Sequence, residues 1–255
     1  MVLEEFVLNG KSAIVTGAGR GLGKAMAQAL AEAGADVVVA ARTVKEIEET
    51  SGEIEKLGRR SIAIPTDVSS SKSVEEMVHQ VLSEFGKIDI LVNNSGMAIN
   101  KPLIETTEEE WNKVISTNIT GMFLCIKAVG DHMIQHKSGK IINIASNVGV
   151  MGYQNFISYC VSKAGVIQFT RALALEWARY NINVNAIGPG TFYTAFNSQA
   201  LDDKNIKDKM LKRIPLRRVG QPKELGPLVV YLASKASDFM TGETIFIDGG
   251  QLSNF

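Results

Sequence analysis

The sequence predicts an α/β fold. It is a single domain spanning 1–255, with a doubly wound, all-parallel seven-stranded sheet and helices on both faces. Three observations predict it. Short β-branched apolar runs alternate with helical patterns along the chain, the order that right-handed βαβ crossovers require. The first run, Lys11-Ser-Ala-Ile-Val-Thr16, passes directly into Gly17-Ala-Gly-Arg-Gly-Leu-Gly23 and then an Ala-rich helical stretch. The runs are continuously apolar rather than alternating, as strands buried on both faces are.

Composition narrows the function classes. The 255 residues and 27.6 kDa suit one large α/β domain. Lys+Arg and Asp+Glu both total 27, so no global charge draws the chain to nucleic acid or to a membrane surface. No apolar run approaches the roughly 20 residues that span a bilayer. Met1 to Lys11 carries Glu4 and Glu5 and lacks the basic-then-apolar order of a signal peptide. Cys125 and Cys160 fit no metal or redox spacing and read as small apolar core residues, with a reducing, cytoplasmic location as the default. His132 and His136 stand four apart, but with no third ligand evident they read as a solvated helix end, and no metal is expected.

The elements follow in order. After the first strand, Leu22 to Ala33 is a helix whose Ala-rich face packs closely. Strand, glycine loop and helix together are the setting in which glycines bind a pyrophosphate. The backbone turns tightly, and the helix N-terminus offers unpaired N–H groups and partial positive charge. The spacing is Gly17-x-x-x-Gly21-x-Gly23. Asp36-Val-Val-Val-Ala40 is the second strand. Rossmann folds often end it with an acid for the ribose 2′-hydroxyl. Here Ala40 and Ala41 precede Arg42, with Arg20 in the glycine loop, a pairing that suits a 2′-phosphate and predicts NADP(H) over NAD(H).

Val44 to Leu57 is a polar helix, and Ser61 to Thr66 is the third strand, followed by Asp67-Val68. Asp67 could accept from an adenine amino group or could cap the next helix, Ser71 to Phe85. Ile88 to Asn93 contains strand four, followed by Asn94-Ser-Gly96. Glu108 to about Gln135 reads as one long helix with Asn118 in its middle, where a buried amide needs a specific partner. Lys140 to Ala145 is strand five, with Ser146 at its carboxyl end. Tyr159-Cys-Val-Ser-Lys163 opens a helix reaching about Arg179, and residues four apart share one helix face, so a phenol and an ammonium stand together. A neighbouring cation favours an ionised phenol and would bring it nearer neutral pH. Ile182 to Ile187 is strand six, closed by Gly188-Pro-Gly190. Thr191 to Leu211 holds Phe192, Tyr193, Phe196, Asn197 and Gln199 with no clean period and reads as a lid over a substrate. Pro222 to Ala233 is a helix, and Thr244 to Asp248 is the last strand.

Taken together, these residues resemble the short-chain dehydrogenases/reductases over essentially the whole chain. The resemblance rests on Thr16-Gly17-x-x-x-Gly21-x-Gly23, Asp67-Val68, Asn93-Asn94-Ser95-Gly96, Asn118, Ser146, Tyr159-x-x-x-Lys163, Pro189-Gly190 with Thr194, and Asp248-Gly249-Gly250. Ser95 stands where alanine is usual and Gly188 where a small side chain is commoner; neither touches a chemical group. The resemblance implies a catalytic set of Asn118, Ser146, Tyr159 and Lys163. Tyr159 would be the acid in carbonyl reduction, Ser146 would bond the substrate oxygen, Lys163 would lower the Tyr159 pKa and hold the nicotinamide ribose, and Asn118 would hold a proton-passing water. It further implies a cofactor set of Gly17, Arg20, Gly21, Leu22, Arg42, Asp67, Val68, Asn94, Gly96, Tyr159, Lys163, Pro189, Gly190 and Thr194. Members are usually homotetramers with the Tyr159 helix and the Gln221–Lys235 region at the interfaces.

The segments Ile214 to Pro222 and Pro189-Gly-x-Phe192-x-Thr194 resemble the gluconate 5-dehydrogenase branch, which implies a small sugar-acid or polyol substrate. Related sequence occurs among 3-oxoacyl-(acyl-carrier-protein) reductases, for which Arg213, Arg217, Arg218 and Lys223 could dock an acidic carrier. A catalytically silent dinucleotide-binding regulator is the reading from another class.

Overall fold

The computed structural model describes residues 1–194, 198 and 202–253. Its strands are β1 (Ser12–Thr16), β2 (Asp36–Ala41), β3 (Ser61–Pro65), β4 (Ile90–Asn93), β5 (Gly139–Ile144), β6 (Ile182–Pro189) and β7 (Thr244–Ile247). They form one sheet in the order β3-β2-β1-β4-β5-β6-β7, every neighbouring pair parallel. The order reverses between β1 and β4, and ligands of open α/β sheets bind outside the strands' carboxyl ends at such a reversal.

The helices are α1 (Gly21–Glu32), α2 (Val44–Lys56), α3 (Ser71–Phe85), α4 (Glu108–Ile115), α5 (Gly121–His136), α6 (Ile157–Trp177), α7 (Lys204–Lys212) and α8 (Gly226–Ala233). They cover both faces, so successive strand residues are buried in opposite directions. Val38 and Ala40 enter a core with α3, α5 and α6, through Val81, Val129 and Trp177. Val37 and Val39 enter a second core with α1, α2 and α8, through Leu30, Ile54 and Val229. That double burial is why the strands read as unbroken apolar runs.

Local signals set the ends. The Ser70 side chain accepts from the Ser73 N–H at the start of α3, and Gly86 closes it at φ 73°. The Thr107–Glu110 pair forms a capping box on α4. The long helix predicted from Glu108 is continuous but not uniform. A π-helical turn, Ser116–Thr120, separates α4 from α5 and carries Asn118. The predicted break from Thr191 to Leu211 also contains order the sequence hides. Helix α7 lies almost wholly within it, capped by Asp203, and although Ile206 and Met210 stand one turn apart, none of its residues is buried. Strand β6 extends to Pro189 because Gly188 and Pro189 pair with Phe246 and Ile247. Among the described residues no helix is long and apolar enough to cross a membrane.

Candidate active site

The glycine loop joins β1 to α1. Gly17 has φ +63°, and a Cβ there would meet the Asn94 amide nitrogen at 2.9 Å. A Cβ on Gly23 would lie 2.2 Å from the Gly17 carbonyl oxygen, so α1 can start this close to β1 only with glycine. The Asn94 amide donates to the carbonyls of Thr16 and Gly17, both at 3.0 Å. The Thr16 hydroxyl accepts from the N–H groups of Asn94 and Ser95 at 3.0 and 3.1 Å. Thr50, which the sequence reading passed over as part of a charged helix, donates to the Gly19 carbonyl at 3.2 Å and ties the loop to α2. The expected cofactor residues therefore meet at one edge. Gly17, Arg20, Gly21 and Leu22 follow β1, Arg42 follows β2, Asp67 and Val68 follow β3, Asn94 and Gly96 follow β4, and Pro189, Gly190 and Thr194 end β6. Leu22 also packs against the second core.

Two of these residues behave differently from expectation. Asp67 is not the cap of α3; Ser70 is. The Asp67 carboxylate accepts from the N–H and hydroxyl of Ser69 at 3.0 and 2.7 Å. The Ser69 hydroxyl holds that carboxyl below its usual range against some burial, and Arg42 adds a smaller pull. Arg20 is exposed and spends its guanidinium on Glu46 at 3.2 Å. Both partners being solvated, that pair is worth little and is easily given up to a stronger anion.

Asn118, Ser146, Tyr159 and Lys163 lie on the same edge. The π turn carries Asn118 inward, where it is 2% exposed. Its Oδ1 accepts from the Met97 N–H at 2.8 Å, and its Nδ2 donates to the Met97 carbonyl and the Ser162 hydroxyl, both at 2.9 Å. The amide thus clamps the β4 loop to α6. Ser162, missed in the sequence although it lies between Tyr159 and Lys163, passes the link to the Tyr159 carbonyl at 2.8 Å.

Lys163 is 4% exposed, and its ammonium donates to the Ile144 carbonyl at 2.7 Å. Burial lowers its pKa to about 8. Nζ stands 5.6 Å from the centre of the Tyr159 ring. Burial raises the Tyr159 phenol above its ordinary value, opposed by a hydrogen bond with Ser146. Nζ itself donates to the Ile144 carbonyl rather than to the phenol. Besides the bond it shares with Tyr159, the Ser146 hydroxyl has long contacts, to Asn147 Oδ1 at 3.3 Å, the Pro189 carbonyl at 3.4 Å and the Val148 N–H at 3.4 Å. Contacts of that length are weak and leave the hydroxyl free to turn toward a better partner. Tyr153, Phe156 and Tyr159 form an edge-to-face file beside it, with centroids 5.5 and 6.4 Å apart.

Behind Lys163 is a cavity of about 10 Å³ lined by Thr16, Asn93, Ser95, Asn118 and Ile144 among others. That is roughly the room of one water. Gln251, also unforeseen, accepts from the Thr191 N–H at 2.8 Å and the Asn147 amide at 3.3 Å, joining β5, β6 and the chain end. The lid is described only in part. Phe192 is buried, and Tyr193 donates its N–H to Gly220 at 2.8 Å, while Phe196, Asn197 and Gln199 lie outside the described residues.

The cysteine and histidine expectations are half met. Cys125 is buried and its thiol is pushed up to about 12, whereas Cys160 is partly exposed, since on α6 it falls beside Tyr159 and away from the core. His136 is exposed, but His132 is partly buried and accepts from the Ile88 N–H at 3.2 Å.

Comparison with known proteins agrees with this geometry. A family described as Enoyl-(Acyl carrier protein) reductase matches residues 17–251. The chain is 42% identical over 254 residues to a 2-dehydro-3-deoxy-D-gluconate 5-dehydrogenase of Escherichia coli, covering 99% of this chain and 100% of that protein. It is 42% identical over 241 residues to a 3-oxoacyl-(acyl-carrier-protein) reductase of Staphylococcus epidermidis, covering 94% and 98%. A crystal structure of a gluconate 5-dehydrogenase from Burkholderia cenocepacia, in complex with NADP and tartrate, superposes with a TM-score of 0.96 at 36% identity, covering 100% of both chains.

Proposed function

The chain belongs to the short-chain dehydrogenase/reductase family, and from that premise we propose that it moves a hydride between NADP(H) and a ketone or secondary alcohol of a small sugar acid or polyol. The observation that carries this reading is the meeting of Asn118, Ser146, Tyr159 and Lys163 beside the glycine cradle. The cradle suits a dinucleotide because Gly17, at φ +63°, and Gly23, packed on the Gly17 carbonyl, let the loop turn tightly into the N-terminus of α1, whose N–H groups favour an anion. Gly17, Arg20, Gly21 and Leu22 would hold the phosphates, Arg42 the 2′-phosphate, Asp67 and Val68 the adenine side. Asn94, Gly96, Lys163, Pro189, Gly190 and Thr194 would hold the nicotinamide half, which supplies or takes the hydride. NAD(H) is the lesser option because β2 ends in Ala40 and Ala41 followed by Arg42, with no acid there for a ribose 2′-hydroxyl.

Tyr159 keeps its proton at neutral pH because burial disfavours the phenolate, which suits an acid facing a carbonyl oxygen. Ser146, loosely held, donates to the same oxygen and stabilises the charge that develops there. Lys163 sets the positive potential behind the phenol, and Asn118 fixes α6 against the β4 loop. The reading extends to one domain over 1–255 with a lid at about 191–211, and to a cytoplasmic homotetramer. Exposed Leu103, Ile104, Phe123, Ile157 and Val161, around α4, α5 and α6, support association.

The equal identity to an acyl-carrier reductase supports a second reading, 3-oxoacyl thioesters. Its acidic partner needs free cations. Arg218 is forked onto Glu224 at 2.6 and 2.7 Å, and Arg217 donates to the Leu211 and Lys212 carbonyls. Two of the four expected docking cations are therefore occupied, which favours the sugar acid. The test is NADPH oxidation across 5-ketogluconate, other keto sugar acids and acetoacetyl thioesters. Turnover of a keto sugar acid upholds the proposal, preference for thioesters replaces it with the second reading, and tight cofactor binding with no turnover indicates a silent regulator.

A further inference from the structure

The sheet has a second cleft at its opposite edge, where the strands begin. It holds about 240 Å³ and is lined by residues that open β1, β4, β5 and β6 and precede β7, among them Lys11, Asp89, Lys140, Asn183, Lys235 and Asp238. Along β5, Lys140 and Ser146 are six residues apart, so this cleft lies about 20 Å from the catalytic edge. The Tyr159 chemistry uses none of it.

Charge is unevenly distributed here although the chain as a whole is neutral. Lys11 and Lys87 share one carboxylate, Asp89, at 3.0 and 3.1 Å. The Asp89 Oδ2 also accepts from the Ser12 N–H at 2.9 Å, so both oxygens of that acid are committed. Lys140 pairs with Asp238 at 2.7 Å. Lys235 has no carboxylate partner among the described residues. Three lysines line the cleft against two carboxylates, and Lys87, outside the lining, takes a share of Asp89, so the cluster as a whole carries an excess of two positive charges.

The Lys140 side chain is only 13% exposed, so its charge is poorly shielded by water. Its pKa is lowered, first by burial, with Lys11 contributing repulsion across the cleft and Asp238 opposing. Two cations that repel each other across a partly dry cleft are stabilised together by a dianion between them. We propose that this cleft binds a small phosphate-class dianion, inorganic phosphate or a small phosphate monoester, held by Lys11, Lys140 and Lys235. A monoanionic carboxylate leaves one charge of the excess uncompensated. At about 240 Å³ the cleft falls below the roughly 300–1,000 Å³ of pockets for drug-sized ligands and suits a phosphate group with a short body.

The test uses the full chain with saturating NADP, so that the cofactor's own phosphate positions are filled. Thermal unfolding is followed against inorganic phosphate, against glycerol 3-phosphate, and against sodium chloride at matched ionic strength. A saturable rise in Tm beyond the chloride control is expected, with half-saturation weakened about tenfold in Lys235→Gln, the loss of one charge contact. Lys140→Gln alone strands Asp238, so Lys140→Gln/Asp238→Asn is the matched second variant, and it too should lose the response. Arg42→Ala should keep it. A lower half-saturating concentration for glycerol 3-phosphate identifies a monoester, and the reverse order free phosphate; both support the site. A response equal to that of chloride, or one retained in Lys235→Gln and lost in Arg42→Ala, overturns the proposal without touching the oxidoreductase reading.

Discussion

The ammonium of Lys163 donates to the carbonyl oxygen of Ile144 at 2.7 Å, four per cent of the residue reaching solvent. One backbone dipole is thin compensation for a buried charge, and the Lys163 pKa falls from 10.5 to about 8. The folded state therefore binds its proton less tightly than the unfolded chain does. Stability from this group is withheld below pH 8 and recovered as pH rises toward 10.5. At neutral pH the penalty is roughly 3 kcal/mol. Lys163→Met should abolish turnover yet raise Tm near pH 7 by about 5 °C after the lost Ile144 bond is allowed for. That gain should shrink between pH 8 and 10.5. A gain that does not vary with pH would show that the ammonium is not the cause.

Tyr159→Phe removes the only phenolic proton in the constellation while preserving the ring's stacking on Phe156. NADPH affinity, read by fluorescence titration, should hardly change. Turnover should fall about 10²-fold or more, because proton transfer is lost. Survival of activity would refute the assigned acid.

Arg42 sits after β2 where no carboxylate competes for the ribose, and it acts on Asp67 across the edge. Arg42→Ala should raise KM for NADPH by about tenfold or more and leave KM for NADH nearly unchanged, since only NADPH presents a 2′-phosphate. Equal losses for both cofactors would remove the basis for preferring NADP(H).

Asn118 serves three hydrogen bonds from the π turn. Asn118→Ala leaves the partly buried Met97 N–H and carbonyl unpaired, at a cost of about 1–3 kcal/mol. Chemical denaturation should show that loss, and kcat should fall more than KM rises, since the clamp positions α6 rather than substrate. Unchanged stability would mean that Met97 finds other partners.

What the sequence disclosed and what it hid divide along physical lines. Helix α3 was legible to the residue because both of its ends carry local signals, Ser70 and Gly86. The sheet was legible because double burial makes unbroken apolar runs. The nearness of Ser146, Tyr159 and Lys163 was legible because one helix turn and one strand end fix their places, whereas Asn118 was singled out by its expected burial and by the family resemblance. Helix α7 was not, since it is short and its few apolar residues, Ile206, Met210 and Leu211, follow an aromatic and amide stretch with no clean period. Nor was the π turn, because inserting one residue per turn barely disturbs the apolar period around Asn118. The direction of the Lys163 ammonium and the partners of Asp67 depend on which of several nearby acceptors wins, and only the folded geometry decides that.

His132 gives a pH test independent of the catalytic edge. On α5, its Nε2 accepts from the Ile88 N–H at 3.2 Å, which requires that nitrogen to be unprotonated. Burial lowers its pKa from 6.5. His136, its ring 4.2 Å away, lowers it further, and Asp89 restores part of the loss. The unfolded chain therefore takes up the proton first as pH falls. The stability that His132 contributes is whole above pH 6.5 and drains away as pH falls through the lowered folded value. His132→Gln keeps an acceptor for Ile88 but cannot titrate. Between about pH 7.5 and pH 5.5 the parent protein should lose more Tm than this variant, while His136→Gln, which removes the repulsion but leaves His132 buried, should fall between the two. Parallel curves for the parent and His132→Gln would assign the acid sensitivity to the carboxylates instead.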